Sequence, residues 1–254
     1  MSKIFFCGDN HGNFRHIVQA VGEHQPNAIV LLGDVQAQRP LEVELAPIIG
    51  KTEIHFIPGN HDTDSQEDYT HLFESQLAHL NLHGRVVEVA GVRIAGLGGI
   101  FRGKVWYPPT PPESESYAAF TKELDRRQAW QKLTASHIGT SRRTHMSTIF
   151  PDVYDALASL EADLLVTHEA PSCHRHGFPA IDLLAQALGV KVAFHGHHHD
   201  RLDYSSQWES LGFRAYGVGF CGITDLDGNV VVPGDFDHQS QVREMNRLRD
   251  TTQQ

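Results

Sequence analysis

Apolar and polar positions divide this chain into short buried runs separated by amphipathic segments, and most of the buried runs empty into a polar cluster. The run Ile4-Phe5-Phe6-Cys7 is apolar at every position, which predicts an interior strand of a parallel sheet covered on both faces. Phe14, Ile17, Val18 and Val21 then recur at helical spacing, and Pro26-Asn27 closes that helix. Ala28-Ile29-Val30-Leu31-Leu32 repeats the strand pattern, residues 40–49 read as a second helix, and residues 53–57 read as a third strand. Right-handed crossovers between these strands put all three of their ends on one edge of a parallel sheet.

Beyond Gly59-Asn60-His61-Asp62 the pattern loosens. Residues 65–82 look helical and polar, and two strand-like runs flanking Ala90-Gly91 predict a hairpin that ends in Gly96-Leu97-Gly98-Gly99. Residues 101–147, rich in Pro, Arg and Trp and with a charged helical segment over 113–134, read as an insertion over the sheet edge; segments of this length often serve as lids. Helices are expected over 151–161 and 180–188, each followed by a strand, 163–167 and 190–194. The runs at 213–220, 223–225 and 230–232 look like antiparallel strands joined by a Gly-containing turn. The expected organisation is a single α/β domain over 1–236, with a polar, fraying tail over 237–254.

Composition narrows the possibilities. With 254 residues, 40% of them hydrophobic and 20% charged, the chain can bury one substantial core. No apolar run reaches the roughly 18 residues of a membrane span, and the start of the sequence lacks the long apolar segment of a secretory leader, so a cytoplasmic location is expected. A net charge of -10 disfavours extended nucleic acid, whose phosphates are held by dense Lys and Arg, but is compatible with a small phosphorylated substrate drawn to bound cations. Cys7, Cys173 and Cys221 show no CxxC spacing and read as small buried hydrophobes.

Several of the 18 histidines fall at the ends of the apolar runs. Five strands terminate in Asp9 and His11, Asp34, Asn60 and His61, His168, and His197 and His199. Any one of these is explained by turn chemistry, because Asn, Asp, His and Gly are ordinary turn residues. Five in succession point to a metal centre. Imidazole, carboxylate and amide donors without thiolate suit manganese first, and also iron, zinc, nickel or cobalt. In extended backbone, Asp9 and His11, or His197 and His199, face the same way, so that each pair can grip one ion. The number of donors fits two ions, which together can polarise a phosphoryl group and activate a water.

The order Asp-x-His, Gly-Asp, Gly-Asn-His-Asp, His, Gly-His-x-His, running from Asp9 to His199, resembles the calcineurin-like metallophosphoesterase family. The resemblance implies an α/β/β/α layered sheet core with a dinuclear site at the C-terminal strand ends. It further implies that Asp9, His11 and His199 hold one ion, that Asn60, His168 and His197 hold the other, that Asp34 bridges them, and that His61 protonates or hydrogen-bonds the leaving oxygen. The sequence departs from the related serine/threonine protein phosphatases, whose Gly-Asp-x-x-Asp-Arg-Gly supplies a partner Asp and a phosphate-binding Arg. Here Ala37 stands at the Asp position, so the orienting partner of His61 is open.

Asp62 is expected to bond the local backbone, and His195 and His198 to lie outside the ligand set. Arg102, Trp106, Tyr107, Arg142, Arg143 and His145 are candidate substrate contacts; the aromatic pair could equally pin the insertion to the body, and the basic run could equally be solvated. The expected function is hydrolysis of a small phosphomonoester, nucleotide or dinucleotide. The alternatives are a diesterase or nuclease acting on short single strands, and a non-catalytic metal-binding scaffold.

Overall fold

The computed structural model describes residues 3–131 and 142–243. Two five-stranded sheets form its centre. The first has the order β10-β9-β1-β2-β3, built from β1 (Ile4–Cys7), β2 (Ala28–Leu31), β3 (Glu53–Phe56), β9 (Ile223–Asp225) and β10 (Val230–Val232). The second has the order β4-β5-β6-β7-β8, built from β4 (Arg85–Val89), β5 (Val92–Leu97), β6 (Leu164–Thr167), β7 (Val192–His195) and β8 (Arg214–Gly217). The three strands expected to be parallel are so, with Phe5 opposite Ile29 and Ile29 opposite Ile54.

Alternation along the strands explains the layering. Ile4 and Phe6 of β1 face the second sheet and meet Val166 and Phe194 in the core between the sheets, where the Phe6 and Phe194 rings stack at 3.8 Å. Phe5 and Cys7 face the other way, onto Ile17, Val21 and Leu41 of α1 (Arg15–His24) and α2 (Leu41–Glu44). The outer face of the second sheet is covered by α5 (Pro151–Ala158) and α6 (Pro179–Leu188). The result is helix, sheet, sheet, helix, the α/β/β/α arrangement. Removing a ring from the inter-sheet layer, as in Phe194→Ala, would cost roughly 3–5 kcal/mol.

Further helices among the described residues are α3 (Gln66–Phe73), α4 (Tyr117–Gln131) and α7 (Trp208–Leu211). Three expectations change. The helix expected over 40–49 stops at Glu44, because Pro47 denies it a donor and biases Ala46 away from the helical region. The polar segment 65–82 is helical only over α3, which starts with a reciprocal Ser65–Asp68 capping box, and over a single turn at Ala78–Leu80. Finally, β8 pairs parallel with β7 and not antiparallel with β9. The segment between β7 and β8 is long enough for a crossover, and β9 instead turns back onto β1 in the other sheet.

Within the expected tail, residues 237–243 are helical, and Asp237 is buried with its carboxylate accepting from the Gly234 amide. The remainder of that tail, and residues 132–141 of the insertion, lie outside the described residues. No helix among the described residues is long and apolar enough to cross a membrane.

Candidate metal centre

The ligand candidates sit where β1, β2 and β3 of one sheet and β6 and β7 of the other end together, so the centre straddles both sheets. Donor atoms of Asp9, His11, Asp34 and His199 form one group within 4.8 Å of one another, and those of Asp34, His168 and His197 form a second. Asp34 belongs to both. Its Oδ2 lies 3.8 Å from His11 Nε2 and its Oδ1 3.4 Å from His168 Nε2, so a different oxygen faces each group. Asn60 joins the second group, its Oδ1 being 3.1 Å from His168 Nε2.

Backbone conformation brings these donors together. His11, Asp34, His197 and His199 all have φ in the left-handed region, at 40°, 46°, 71° and 57°. Non-glycine residues adopt such values at a cost of about 1–3 kcal/mol each, and functional sites are where that cost persists. The side chains therefore leave tight turns and not extended strands, which overturns the two-residue alternation expected for His197 and His199. The two fall in different groups, His199 with His11 and His197 with His168. Gly33 and Gly59 complete the cradle: a Cβ on Gly59 would collide with Asp34 and His168, and Gly33 sits at φ 99° against the His168 ring.

The donors are oriented for ligation. His168 Nδ1 donates to the Leu32 carbonyl at 2.8 Å, and His11 Nδ1 pairs with Gln36 Oε1 at 2.5 Å, leaving Nε2 of each ring for the centre. His11 Nε2 and His199 Nε2 are 3.1 Å apart, the separation of neighbouring donors around one ion with bonds of about 2.1 Å. Asp9 and Asp34 are both buried, and His197 N donates to both oxygens of Asp9. Burial, aided by the charge of Asp34 and only partly offset by His168, pushes Asp9 up to about 7. Burial raises Asp34 too, but His168 more than reverses it, and the same partnership holds His168 at about 10. Two buried carboxylates facing imidazole and amide donors make a site suited to cationic charge, and the donor set fits divalent ions.

His61 stands beside the two groups. Its backbone amide donates to Asp34 Oδ1 at 2.8 Å, and its ring lies 5.5 Å from that of His11. His61 Nδ1 is 2.5 Å from Asp64 Oδ2, so Asp64 is the partner that the sequence left open. Burial lowers the His61 pKa, but the Asp64 hydrogen bond and the charge of Asp34 outweigh it and hold His61 above the ordinary histidine range. Asp62 accepts from the Gly59 and Gln36 amides at 2.7 and 2.8 Å, as expected of a residue that bonds the local backbone.

The other candidates separate. Arg102 is half-buried and faces Asp64, Glu169 and Asp34, whose charges oppose the lowering of its pKa by burial. Among the described residues its Nε has no hydrogen-bond partner, and Nη2 reaches only Ser147 Oγ at 3.4 Å. Arg143 donates to the Thr63 and Asp64 carbonyls at 3.2 and 3.1 Å, tying the insertion to the turn that carries His61. Trp106 packs edge-on against Phe101 and Tyr154, and Tyr107 against Phe178, which are anchoring contacts with the body. Arg142 pairs with Asp125 of α4, and His145 is buried beneath Phe120 with Nδ1 on Thr148 Oγ1. His198 stacks on His174 at 3.8 Å and lies 4.8 Å from the His197 ring, and the buried His195 bonds Gly196 O; neither falls in the two donor groups found among the described residues.

Gln36, Asp64, Glu169 and Phe220 are neighbours of the site that sequence reasoning missed. Glu169 Oε1 accepts from the Phe101 amide at 3.0 Å, and its Oε2 lies 4.0 Å from His197 Nε2. Only Asp64 carried a usable signal, a carboxylate three residues after His61 in a tight turn.

Two donor groups that could each hold a metal ion share one carboxylate across the paired sheets. Residues 2–201 match the calcineurin-like phosphoesterase family, and the chain belongs to that family of metal-dependent phosphoester hydrolases. It is similar to an uncharacterized protein of Haemophilus influenzae, 35% identical over 229 residues that cover 90% of this chain and 96% of the relative. The crystal structure of TT1561 of Thermus thermophilus shares the fold, with a TM-score of 0.52 at 14% identity, over 92% of this chain and 98% of that one.

Proposed function

We propose that this protein hydrolyses a small phosphate ester at two divalent cations, manganese first among the candidates. Asp9, His11 and His199 hold one ion, Asn60, His168 and His197 hold the other, and Asp34 bridges them. The observation that carries this reading is the sharing of Asp34 between two compact donor groups. When bound, the ions polarise the phosphoryl group and make a water nucleophilic near neutral pH.

The chain's own residues supply the rest. With Nδ1–H donated to Asp64, His61 presents Nε2–H outward, and that proton passes to the leaving oxygen as the phosphorus–oxygen bond breaks and the water oxygen bonds phosphorus. Arg102, a guanidinium without an ion-pair partner within 4 Å among the described residues, takes a non-bridging phosphate oxygen, the role of the arginine absent after Ala37. Asp34 and Asp9 keep their carboxylates for the cations. The net charge of -10 supports a small substrate, a phosphomonoester, nucleotide or dinucleotide, over a long polymer.

The test is phosphate release by manganese-loaded protein from a panel of monoesters, diesters and dinucleotides, with Asp34→Asn as the control. Turnover in the wild type that Asp34→Asn abolishes supports the reading. No turnover across the panel refutes it.

A further inference from the structure

The two flanks of the centre differ in chemistry. On one, the Arg102 guanidinium, near Asp64, Glu169 and Asp34, is the cation that can take phosphate oxygens. The other is a row of rings. His61 lies 5.5 Å from His11, His11 stacks on Phe220 at 5.3 Å and 24°, and Phe220 meets Phe236 at 5.2 Å. Phe220 also touches His199 edge-on at 5.0 Å, so it steadies two donors of one group. Phe236, at the outer end of the row, touches neither in this way and is 42% exposed.

Phe236 is nevertheless held in place. The Asp235 amide donates to the Phe220 carbonyl at 2.9 Å, and Asp237 Oδ2 accepts from the Gly234 amide at 2.9 Å, fixing the turn on both sides of the ring. Exposed apolar side chains are common and individually mean little. This one differs from Leu183 or Ile49, which are also exposed, because its ring extends the row that starts at His61.

The leaving group of an ester bound at the centre begins at the oxygen that His61 faces and must extend away from the cations. Towards Arg102 it would compete with anionic oxygens for the guanidinium. Along the row it meets flat π-faces. We propose that Phe236, backed by Phe220, stacks on the leaving group, and that the enzyme favours phosphate esters whose alcohol carries a planar aromatic or heteroaromatic ring, as a nucleoside does. This rests on the hydrolase reading above. Stacking of this kind tolerates different rings, because every base has a π-face.

The experiment compares a nucleoside 5′-monophosphate with ribose 5-phosphate on manganese-loaded protein. The two share a charged group and a leaving oxygen and differ by the base, so the ratio of their kcat/KM values isolates the ring. Phe236→Leu keeps apolar bulk but removes the π-face. The ratio should fall roughly fivefold or more, mainly through KM, and Phe236→Trp should restore it. A ratio that stays within about twofold of wild type in Phe236→Leu overturns the stacking role while leaving the hydrolase reading intact. Absence of turnover of either ester by the wild type brings down the hydrolase reading and the stacking role together.

Discussion

Replacing Asp64 with alanine removes the carboxylate that orients His61 and sustains its proton. The Nδ1–Oδ2 separation of 2.5 Å marks a charge-assisted hydrogen bond, but the two side chains are 44% and 55% exposed, so solvent screens much of its charge. A charged hydrogen bond contributes about 1.5–3 kcal/mol when sheltered, and this exposure reduces it towards about 1 kcal/mol. That corresponds to roughly a fivefold loss in kcat, against the roughly 10²- to 10⁴-fold loss expected when His61→Ala deletes the proton donor. The assay pairs an alkyl phosphate with an aryl phosphate of low leaving-group pKa. Only the alkyl ester needs a proton on its leaving oxygen, so both variants should lose most on that substrate. The pH profile supplies the sign: Asp64 holds the His61 pKa up, so Asp64→Ala should move the alkaline limb of kcat to lower pH. Equal losses on both esters in His61→Ala, or an unmoved alkaline limb in Asp64→Ala, would refute the proton-donor assignment.

Further expectations concern the donors and the charged flank. Gln36→Ala frees the His11 ring from its 2.5 Å partner and should weaken metal binding by roughly 10- to 100-fold, read by calorimetric titration. Gly59→Ala drives a methyl group into Asp34 and His168, and should lower metal content measured by elemental analysis. Arg102→Ala should raise KM more than it lowers kcat, because a phosphate contact present before reaction is lost from ground and transition states alike. Adding manganese to metal-free protein near neutral pH should release protons, since His168, held at about 10 by Asp34, must give one up to ligate; a pH electrode in weakly buffered solution detects it.

The sheets and the clustering of the candidate donors were legible in the sequence because both leave local traces. β1, β2 and β6 are buried at every position, and four- or five-residue apolar runs ending in Asp, Asn or His cannot be confused with amphipathic helices. What stayed hidden is tertiary. Strand direction at β8 depends on which sheet accepts the next strand, and no residue within Arg214–Gly217 records that choice. Gln36 is an unremarked loop residue until His11 folds against it, and Phe220 reads as an ordinary apolar residue until its ring meets His11 and His199. The left-handed conformations of His197 and His199 defeated the two-residue alternation, because that rule holds only for extended backbone. Trp106 and Tyr107, chosen for their chemistry, anchor the insertion, whereas Arg102, drawn from the same stretch, faces the centre.

Asp34 is proposed to join two cation sites into one hydrolytic centre. Metal content and phosphate release, measured on the same reconstituted samples of wild type and Asp34→Asn, test it most directly. The wild type should hold two ions per chain and turn over, and the variant should lose both full occupancy and turnover. A wild type that holds fewer than two ions, or an Asp34→Asn protein that keeps two ions and full activity, would contradict it.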